Sequence, residues 1–225
     1  MSRQIELVIF DMDGLMFDTE KIGHQAWERV AEKYHFPYSL DITKRYIGKN
    51  HNAIISVLKS EFGDNAPVEK WHRESWEVRK EIYLENGTLG IKPGLIELLT
   101  FLKEVNMKMA VASSSGFSDI VHHINHEGLS DYFDFIIGGD QVKESKPNPE
   151  IFLTPCKTFN VLPENALVLE DSYNGFLASK AAGIPVIIVP DLLEPSQDVL
   201  AEAAGVYPSL HEVKTYIESF FVLQP

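Results

Sequence analysis

The stretch Ile5–Gly14, which reads IELVIFDMDG, places two carboxylates directly after a run of apolar residues. The four apolar residues Leu7–Phe10 are typical of a strand buried on both faces of a parallel sheet, although periodicity alone leaves a short buried helix open. Asp and Gly are poor strand residues, so we expect the strand to end at Phe10. Asp11 would then emerge at the carboxyl end of the strand, where open α/β sheets bind ligands, with Asp13 near enough to share the site.

Three interpretations of the pair Asp11 and Asp13 are open from this stretch alone. Two neighbouring acids repel each other, which favours either a divalent cation or a shared proton, and both of these are catalytic arrangements. The third interpretation is a solvated turn in which Asp caps a helix. A calcium-binding loop is excluded, because its next ligand, its glycine and its closing glutamate would fall on Leu15, Met16 and Ile22.

The composition is that of a globular chain rather than a disordered one. Of the 225 residues, 44% are hydrophobic and 24% are charged, and the formal net charge is −13. An acidic chain without a Lys/Arg-rich patch is not expected to bind nucleic acid or an anionic membrane surface. We therefore expect a small-molecule partner, and an anionic one would need local positive charge from a metal ion or a few placed cations.

The single cysteine, Cys156, excludes an intramolecular disulfide and disfavours a structural zinc site built from cysteines. A reducing cytoplasm suits such a chain. The residues before the first strand lack the basic start and the long apolar region of a signal peptide, and no apolar run approaches the roughly 18 residues of a membrane-spanning helix. We therefore expect a cytoplasmic monomer without a membrane partner.

A helical module separates the first strand from the rest of the fold. Between about residues 19 and 86 the apolar residues recur at helical spacing, and no segment has a convincing strand pattern. We expect a helical bundle over residues 17–88 that is inserted into a core domain formed by residues 1–16 and 89–225.

After Pro93, helices and apolar strands alternate, which predicts a parallel sheet. A helix that we expect to open at Pro93 is followed by four further strands, at residues 108–113, 135–137, 166–169 and 185–189, with a helix between each pair. Together with the first strand they predict an α/β fold, a Rossmann-like doubly wound parallel sheet that carries the inserted helical bundle.

Polar groups follow the strands where they end. Ser113-Ser114-Ser115 ends the second strand, Lys146 follows the third, and Glu170-Asp171 ends the fourth. The carboxyl ends of the strands in a doubly wound sheet lie along one edge, so these groups can converge with Asp11 and Asp13. Each group has a simpler explanation on its own, as a helix cap, a loop cation or a charge at a helix N-terminus, but together they favour one site.

The residue types at this edge suit phosphoryl transfer with Mg²⁺, a cation that takes carboxylate oxygens and keeps several waters. Asp11 would be the nucleophile, since the metal ion and a lysine offset its repulsion from phosphate. Asp13 would protonate the leaving oxygen and then activate water against the aspartyl-phosphate, which requires a raised pKa. The predicted metal ligands are Asp11, Asp13, Glu170 and Asp171, and the predicted phosphate-binding residues are Ser113, Ser114 and Lys146.

At these residues the chain resembles the haloacid dehalogenase superfamily, and the resemblance spans essentially the whole chain. The first family motif, DxDGxxxDTE, stands at residues 11–20; the second is Ser113, the third is Lys146 before Pro147, and the fourth is Glu170-Asp171-Ser172 with Gly175. The chain is most similar to the β-phosphoglucomutase-like subgroup, whose cap follows the first motif. The resemblance implies a magnesium-dependent aspartyl-phosphate mechanism, with Asp11, the backbone carbonyl of Asp13 and Asp171 on the metal and Glu170 as a further candidate.

The reaction itself is decided by a few positions. Asp13 argues against the dehalogenase branch, which lacks the second aspartate. Mutases of the subgroup resemble a pattern with histidine five residues after the position of Asp18 and an arginine after the glycine of the cap loop. Here those positions hold Gly23 and Lys49, and His24 is displaced by one residue, about 100° around a helix.

We therefore favour a phosphatase that acts on a small phosphorylated metabolite, such as a sugar phosphate or a nucleoside monophosphate. A phosphosugar mutase of the β-phosphoglucomutase type is the alternative reaction, and a non-catalytic phosphometabolite-binding protein is the alternative from another class. Substrate choice should lie in the cap, since its closure excludes water and adds specificity contacts. The candidates are Lys49, His51, Asn52 and Arg79, although each is equally explained as part of a solvated helical face.

Overall fold

A computed structural model describes residues 5–47 and 51–222, with side chains as far as residue 219. The chain divides into two compact units. Unit 1 combines the residues up to Phe17 with those from Ile91 onward, and unit 2 spans Asp18–Gly90. The sequence predicted the corresponding breaks after residues 16 and 88. The role of unit 2 as a cap stays a prediction.

Unit 1 is built on a six-stranded sheet in which all paired strands are parallel. The strands, in chain order, are β1 Leu7–Phe10, β2 Lys108–Ser113, β3 Phe135–Gly138, β4 Ala166–Glu170, β5 Val186–Ile188 and β6 Gly205–Val206. Their order across the sheet is β3-β2-β1-β4-β5-β6, which is the strand order of the Rossmann fold. The predicted fold class is confirmed.

Strand β1 lies in the middle of the sheet because both of its faces are apolar. All four of its residues are inaccessible to solvent. Leu7 and Ile9 belong to a core cluster with Phe152 and Phe176, and the alternation of side chains along a strand turns the other two residues to the opposite face. A continuous apolar run, rather than an alternating one, is stable in this environment.

Unit 2 contains helices and no strand among its described residues, 18–47 and 51–90. Its helices are α1 Thr19–Tyr34, α2 Leu40–Lys44, α3 His51–Phe62 and α4 Val68–Asn86. Their apolar faces meet in a cluster that includes Trp27, Leu58 and Trp71, and the ring of Phe36 stacks on Trp71 with 4.0 Å between centroids. The sequence did not predict α2, because its five residues contain little more than one helical period.

The helices of unit 1 pack against the sheet and against one another, with α5 on α10 and α7 on α8. They are α5 Leu95–Glu104, α6 Phe117–His126, α7 Glu150–Phe159, α8 Tyr173–Ala182, α9 Gln197–Glu202 and α10 Leu210–Val222. Helix α5 begins at Leu95 rather than at the predicted Pro93, because Gly94 adopts a left-handed conformation (φ 87°) at its start. In the described part of the chain, no helix combines the length and the apolar content needed to cross a membrane.

Candidate active site

The strand order reverses between β1 and β4, and open α/β sheets bind ligands at such a point. The two strands pair with Phe10 opposite Leu169. The residues that follow, Asp11 and Glu170, therefore stand next to each other at the carboxyl edge of the sheet. The Asp11 N–H donates to the Leu169 carbonyl at 3.0 Å, which extends the pairing by one residue. The fold thus brings together two acids from distant parts of the sequence.

Lys146 lies between these two acids. Its ammonium donates to Asp11 Oδ1 and to Glu170 Oε1, the latter at 2.7 Å, and its side chain is 5% exposed. The ring centre of Phe152 lies 4.7 Å from the ammonium. A buried cation of this kind is stable only when it is paired, and both of its partners here are carboxylates.

This cluster holds more negative charge than Lys146 neutralises. Burial raises the pKa of the Asp11 carboxyl well above its ordinary value; Lys146 opposes this shift, whereas Glu170 and Asp13 add to it. Burial alone would lower the pKa of the Lys146 ammonium, but Asp11 and Glu170 raise it above its ordinary value, so the lysine stays charged. Ionised Asp11 would therefore be stabilised by a further positive charge.

Glu170 is held in place by the start of α8. Its Oε2 accepts hydrogen bonds from the N–H groups of Asp171 (2.8 Å) and Ser172 (2.7 Å), while Oε1 faces Lys146. The N-terminus of a helix favours a negative charge at this position. Gly175, in the first turn, makes room for the carboxylate, because a Cβ there would lie 1.7 Å from Oε1.

Asp11, Glu170 and Asp171 form an acidic cluster that fits a divalent cation. One carboxylate oxygen from each lies within 4.8 Å of the other two. Asp171 packs against Gly14, where a Cβ would lie 2.2 Å from Asp171 Oδ2. Carboxylate oxygens are the donors that hard cations such as Mg²⁺ prefer, and such an ion would neutralise the buried excess of negative charge. Asp13, the fourth predicted ligand, contributes no carboxylate oxygen to this cluster, which leaves its backbone carbonyl as the candidate donor.

The carboxylate of Asp13 is instead held by two serines of the loop after β2. The hydroxyls of Ser113 (3.1 Å) and Ser115 (2.7 Å) both donate to Asp13 Oδ2. Ser114, which was predicted to bind phosphate together with Ser113, has an exposed side chain. Ser115 was missed. It lies in the bend that follows β2, where its N–H donates to Ser113 Oγ at 3.0 Å, and this turn brings both hydroxyls to Asp13.

The four predicted specificity residues belong to unit 2. Lys49 lies outside the described residues. His51 and Asn52 are exposed at the start of α3, and the ring of His51 lies 4.9 Å from that of His72. Arg79, on α4, places its guanidinium 4.6 Å from the ring centre of Trp76, and its Nε is buried without a hydrogen-bond partner in the described structure. The structure thus brings His51 and Arg79 onto neighbouring helices, together with aromatic side chains.

Comparisons with known proteins agree with this geometry. Residues 8–189 match the family model for haloacid dehalogenase-like hydrolases. A phosphorylated carbohydrates phosphatase of Thermotoga maritima is 37% identical over 180 residues, which are 80% of this chain and 82% of that protein. A Drosophila melanogaster protein named "Probable pseudouridine-5'-phosphatase" is 32% identical over 219 residues, covering 94% of this chain and 93% of its own.

Solved structures show the same similarity. The β-phosphoglucomutase of Clostridium difficile superposes with a TM-score of 0.72 at 28% identity, covering 97% of this chain and 98% of that one. The family model spans more than half of the chain and includes Asp11, Lys146 and Glu170. The chain therefore belongs to the haloacid dehalogenase-like hydrolase family, and its relatives there include proteins named as phosphatases.

Proposed function

We propose that this protein is a magnesium-dependent phosphatase that hydrolyses a small phosphorylated metabolite through an aspartyl-phosphate on Asp11. The observation that carries the proposal is the convergence of Asp11, Glu170 and Asp171, the first two of which also pair with the buried Lys146. Three acids with one cation form a site with a net negative charge, which suits a divalent cation better than a structural ion pair. The predicted alternative, a non-catalytic protein that binds a phosphorylated metabolite, does not require a nucleophilic carboxylate within this acidic cluster.

In this proposal Asp11 attacks the phosphorus atom, a bond forms to its carboxylate oxygen, and the bond to the leaving oxygen breaks. Mg²⁺ bound by Asp11, Asp171 and Glu170 would reduce the repulsion between the nucleophile and the phosphoryl oxygens. Lys146 donates to the same nucleophile and keeps its positive charge, so it orients Asp11 and adds to the positive field at the phosphate.

Asp13 is proposed as the general acid and base. It would give a proton to the leaving oxygen and later take one from the water that hydrolyses the aspartyl-phosphate. Ser113 and Ser115 both donate to Oδ2, so the other carboxyl oxygen, Oδ1, is left for the proton transfer. The two serines therefore act here as positioning residues, and a phosphate contact from Ser113 would require its hydroxyl to turn.

We infer that the substrates are sugar phosphates or nucleoside monophosphates. The T. maritima relative is named for phosphorylated carbohydrates, and the D. melanogaster relative is named for pseudouridine 5′-phosphate. The predicted specificity residues Lys49, His51, Asn52 and Arg79 remain the candidates for choosing among them.

Gly23 favours hydrolysis over the mutase alternative. It stands at the position of the histidine in the mutase pattern, and a Cβ here would lie 2.3 Å from Arg79 Nη2. The Arg79 guanidinium thus fills the space that a side chain at position 23 would need. The neighbouring His24 is engaged within unit 2, because its Nδ1 lies 2.8 Å from Thr43 Oγ1. Position 23 therefore lacks the histidine of the mutase pattern, and His24 does not replace it.

The proposal is tested by phosphate release from a panel of sugar phosphates and nucleoside monophosphates, with Mg²⁺ and after treatment with EDTA. We expect release that requires Mg²⁺ and that Asp11→Asn abolishes, whereas the exposed Asp131→Asn should match the wild type. β-Glucose 1-phosphate separates the two reactions: free phosphate supports hydrolysis, and glucose 6-phosphate supports the mutase. Turnover that survives in the Asp11 variant would reject Asp11 as the nucleophile.

A further inference from the structure

Helix α6 carries two histidines one turn apart, at positions 122 and 126. Residues four apart on a helix lie on the same face, so the two imidazoles are neighbours. Both side chains are exposed, and their rings lie 6.1 Å apart between centroids with an angle of 27° between the planes. The proposed catalytic groups come from other segments of the chain, and the mechanism uses neither histidine.

This spacing is close to that of two imidazoles on one metal ion. A Zn–N distance of about 2.0–2.1 Å and a tetrahedral angle place the centres of two ligating rings about 5 Å apart. The observed 6.1 Å exceeds this by about 1 Å, which small side-chain rotations of two exposed residues can close. The helix backbone therefore already places the two imidazoles on one face, one turn apart.

We propose that His122 and His126 form a surface site for a borderline transition-metal ion such as Zn²⁺, separate from the acidic cluster that suits Mg²⁺. Imidazole nitrogen suits zinc, nickel and copper, whereas carboxylate oxygen suits magnesium, so ligand type distinguishes the two sites. The net charge of −13 further favours the approach of cations.

His123 is adjacent in sequence but is not part of the proposed pair. Its side chain is half-buried, and burial lowers the pKa of its imidazole, with a smaller contribution from His122. Its ring centroid lies 5.3 Å from that of His122, but a half-buried imidazole is less accessible to a hydrated metal ion than the two exposed ones.

The test is equilibrium dialysis of the full-length, untagged protein against Zn²⁺ in an excess of Mg²⁺, which occupies the carboxylate site. We expect His122→Ala and His126→Ala each to weaken zinc binding at least tenfold. His211→Ala removes a single exposed histidine from another helix and should leave binding unchanged. Circular dichroism establishes that each variant is folded, and His122→Gln repeats the test with a side chain of similar length.

A spectroscopic measurement identifies the ligands directly. With Cu²⁺ as the probe, electron paramagnetic resonance should show nitrogen hyperfine coupling in the wild type and in His211→Ala, and should lose it in the His122 and His126 variants. The proposal is overturned if the wild type binds no Zn²⁺ beyond the Mg²⁺-competed site, if both α6 variants bind like the wild type, or if the His211 control loses as much binding as they do.

Discussion

Ionisation of Asp11 lowers the stability of the folded protein when no metal ion is bound. Because its pKa is raised in the folded state, the folded chain binds more protons than the unfolded chain between the ordinary carboxyl range and the raised value. The free energy of unfolding of the metal-free protein should therefore fall as pH rises through that window. The proposed mechanism needs this same ionised carboxylate. The form of Asp11 that attacks phosphorus is therefore also the form that lowers the stability of the metal-free protein.

We expect Asp11→Asn to raise the melting temperature of EDTA-treated protein at pH 7, because asparagine removes the buried charge while Glu170 still pairs with Lys146. The gain should grow as pH rises through the titration of the wild-type carboxyl, because more of the buried Asp11 is then ionised. Thermal unfolding between pH 5 and pH 8 measures it, with the exposed Asp131→Asn as the control. An Asp11 variant that is no more stable than the wild type across this range would contradict the prediction.

Ser115 gives a second prediction for a single residue. Ser115→Ala removes one of the two hydroxyls that fix Asp13. A hydrogen bond to a charged group is worth about 1.5–3 kcal/mol, so we expect kcat to fall about tenfold to a hundredfold with a smaller change in KM. Steady-state kinetics on the best substrate of the panel measures this split. Ser118→Ala, at an exposed position of α6, is the control, and an equal loss there would show that the effect is not specific.

Sequence patterns predicted the acids of the site better than their partners. Asp11 and Glu170 could be predicted because each follows an apolar strand, and parallel strands end at one edge. The simultaneous contact of Lys146 with both acids could not, since it depends on the path of the loop after β3. Likewise, the pattern indicated serines after β2, but only the direction of the chain shows that Ser115, rather than Ser114, faces Asp13.

The junction of β4 with α8 is the element on which the proposed metal site depends. Alanine is favoured over glycine in an open helix by about 1 kcal/mol, so Gly175→Ala would stabilise α8 if the helix stood alone. A Cβ at this position would instead overlap the Glu170 carboxylate. We expect Gly175→Ala to destabilise the protein by about 1–3 kcal/mol and to weaken activation by Mg²⁺.

Chemical unfolding and a Mg²⁺ titration of activity measure these two effects. Lys180→Ala, on the exposed side of the same helix, should change stability by no more than about 0.5 kcal/mol. A Gly175→Ala variant that is as stable and as responsive to Mg²⁺ as the wild type would show that the carboxylate can move without cost.

Strands and helices whose apolar residues repeat at a regular spacing could be predicted from the sequence. Elements that form only by pairing with a distant segment could not. Strands β1 to β5 lie within a residue or two of their predicted bounds, because each is a continuous apolar run. The two-residue β6 exists only through its pairing with β5. Helix α10 was missed although the signal was present, since Leu210, Val213 and Ile217 are buried at helical spacing.

At the scale of the whole molecule, the sheet does not depend on the inserted unit for any of its strands. Phe17 and Ile91, which flank the insertion, pair in an antiparallel bridge, so the two ends of unit 1 are adjacent. We expect a variant in which a short Gly/Ser linker replaces Asp18–Gly90 to fold cooperatively, because linkers between adjacent ends cost little. It should retain magnesium-dependent hydrolysis of p-nitrophenyl phosphate and lose discrimination among the metabolites of the panel.

Thermal unfolding and hydrolysis assays of this variant test the prediction, and the same deletion combined with Asp11→Asn controls for contaminating activity. A chain that shows no cooperative transition would mean that unit 1 requires unit 2 to fold. If the shortened protein still discriminates fully among the substrates, the specificity residues do not lie in unit 2.

The family, the fold class and the assignment to the phosphatases were all predicted from the sequence and are confirmed. The metabolite could not be predicted, because it depends on the arrangement of individual side chains, for which those of unit 2 remain candidates, rather than on summed properties such as net charge. Of those side chains, Lys49 also lies outside the described residues. The expected cytoplasmic location, the monomeric state and the absence of nucleic-acid and membrane partners stay predictions.

The central strand has a consequence for the synthesis of the protein. Strand β1 ends at Phe10, but the first of its neighbours, β2, begins only at Lys108. At about 5–20 residues per second a ribosome needs about 5–20 seconds to make the intervening chain. Unit 2 can form its own core in that time. The four apolar residues of β1 meanwhile have no partner strand to pair with. This delay is the interval in which a chaperone that binds apolar segments has its clearest opportunity to act.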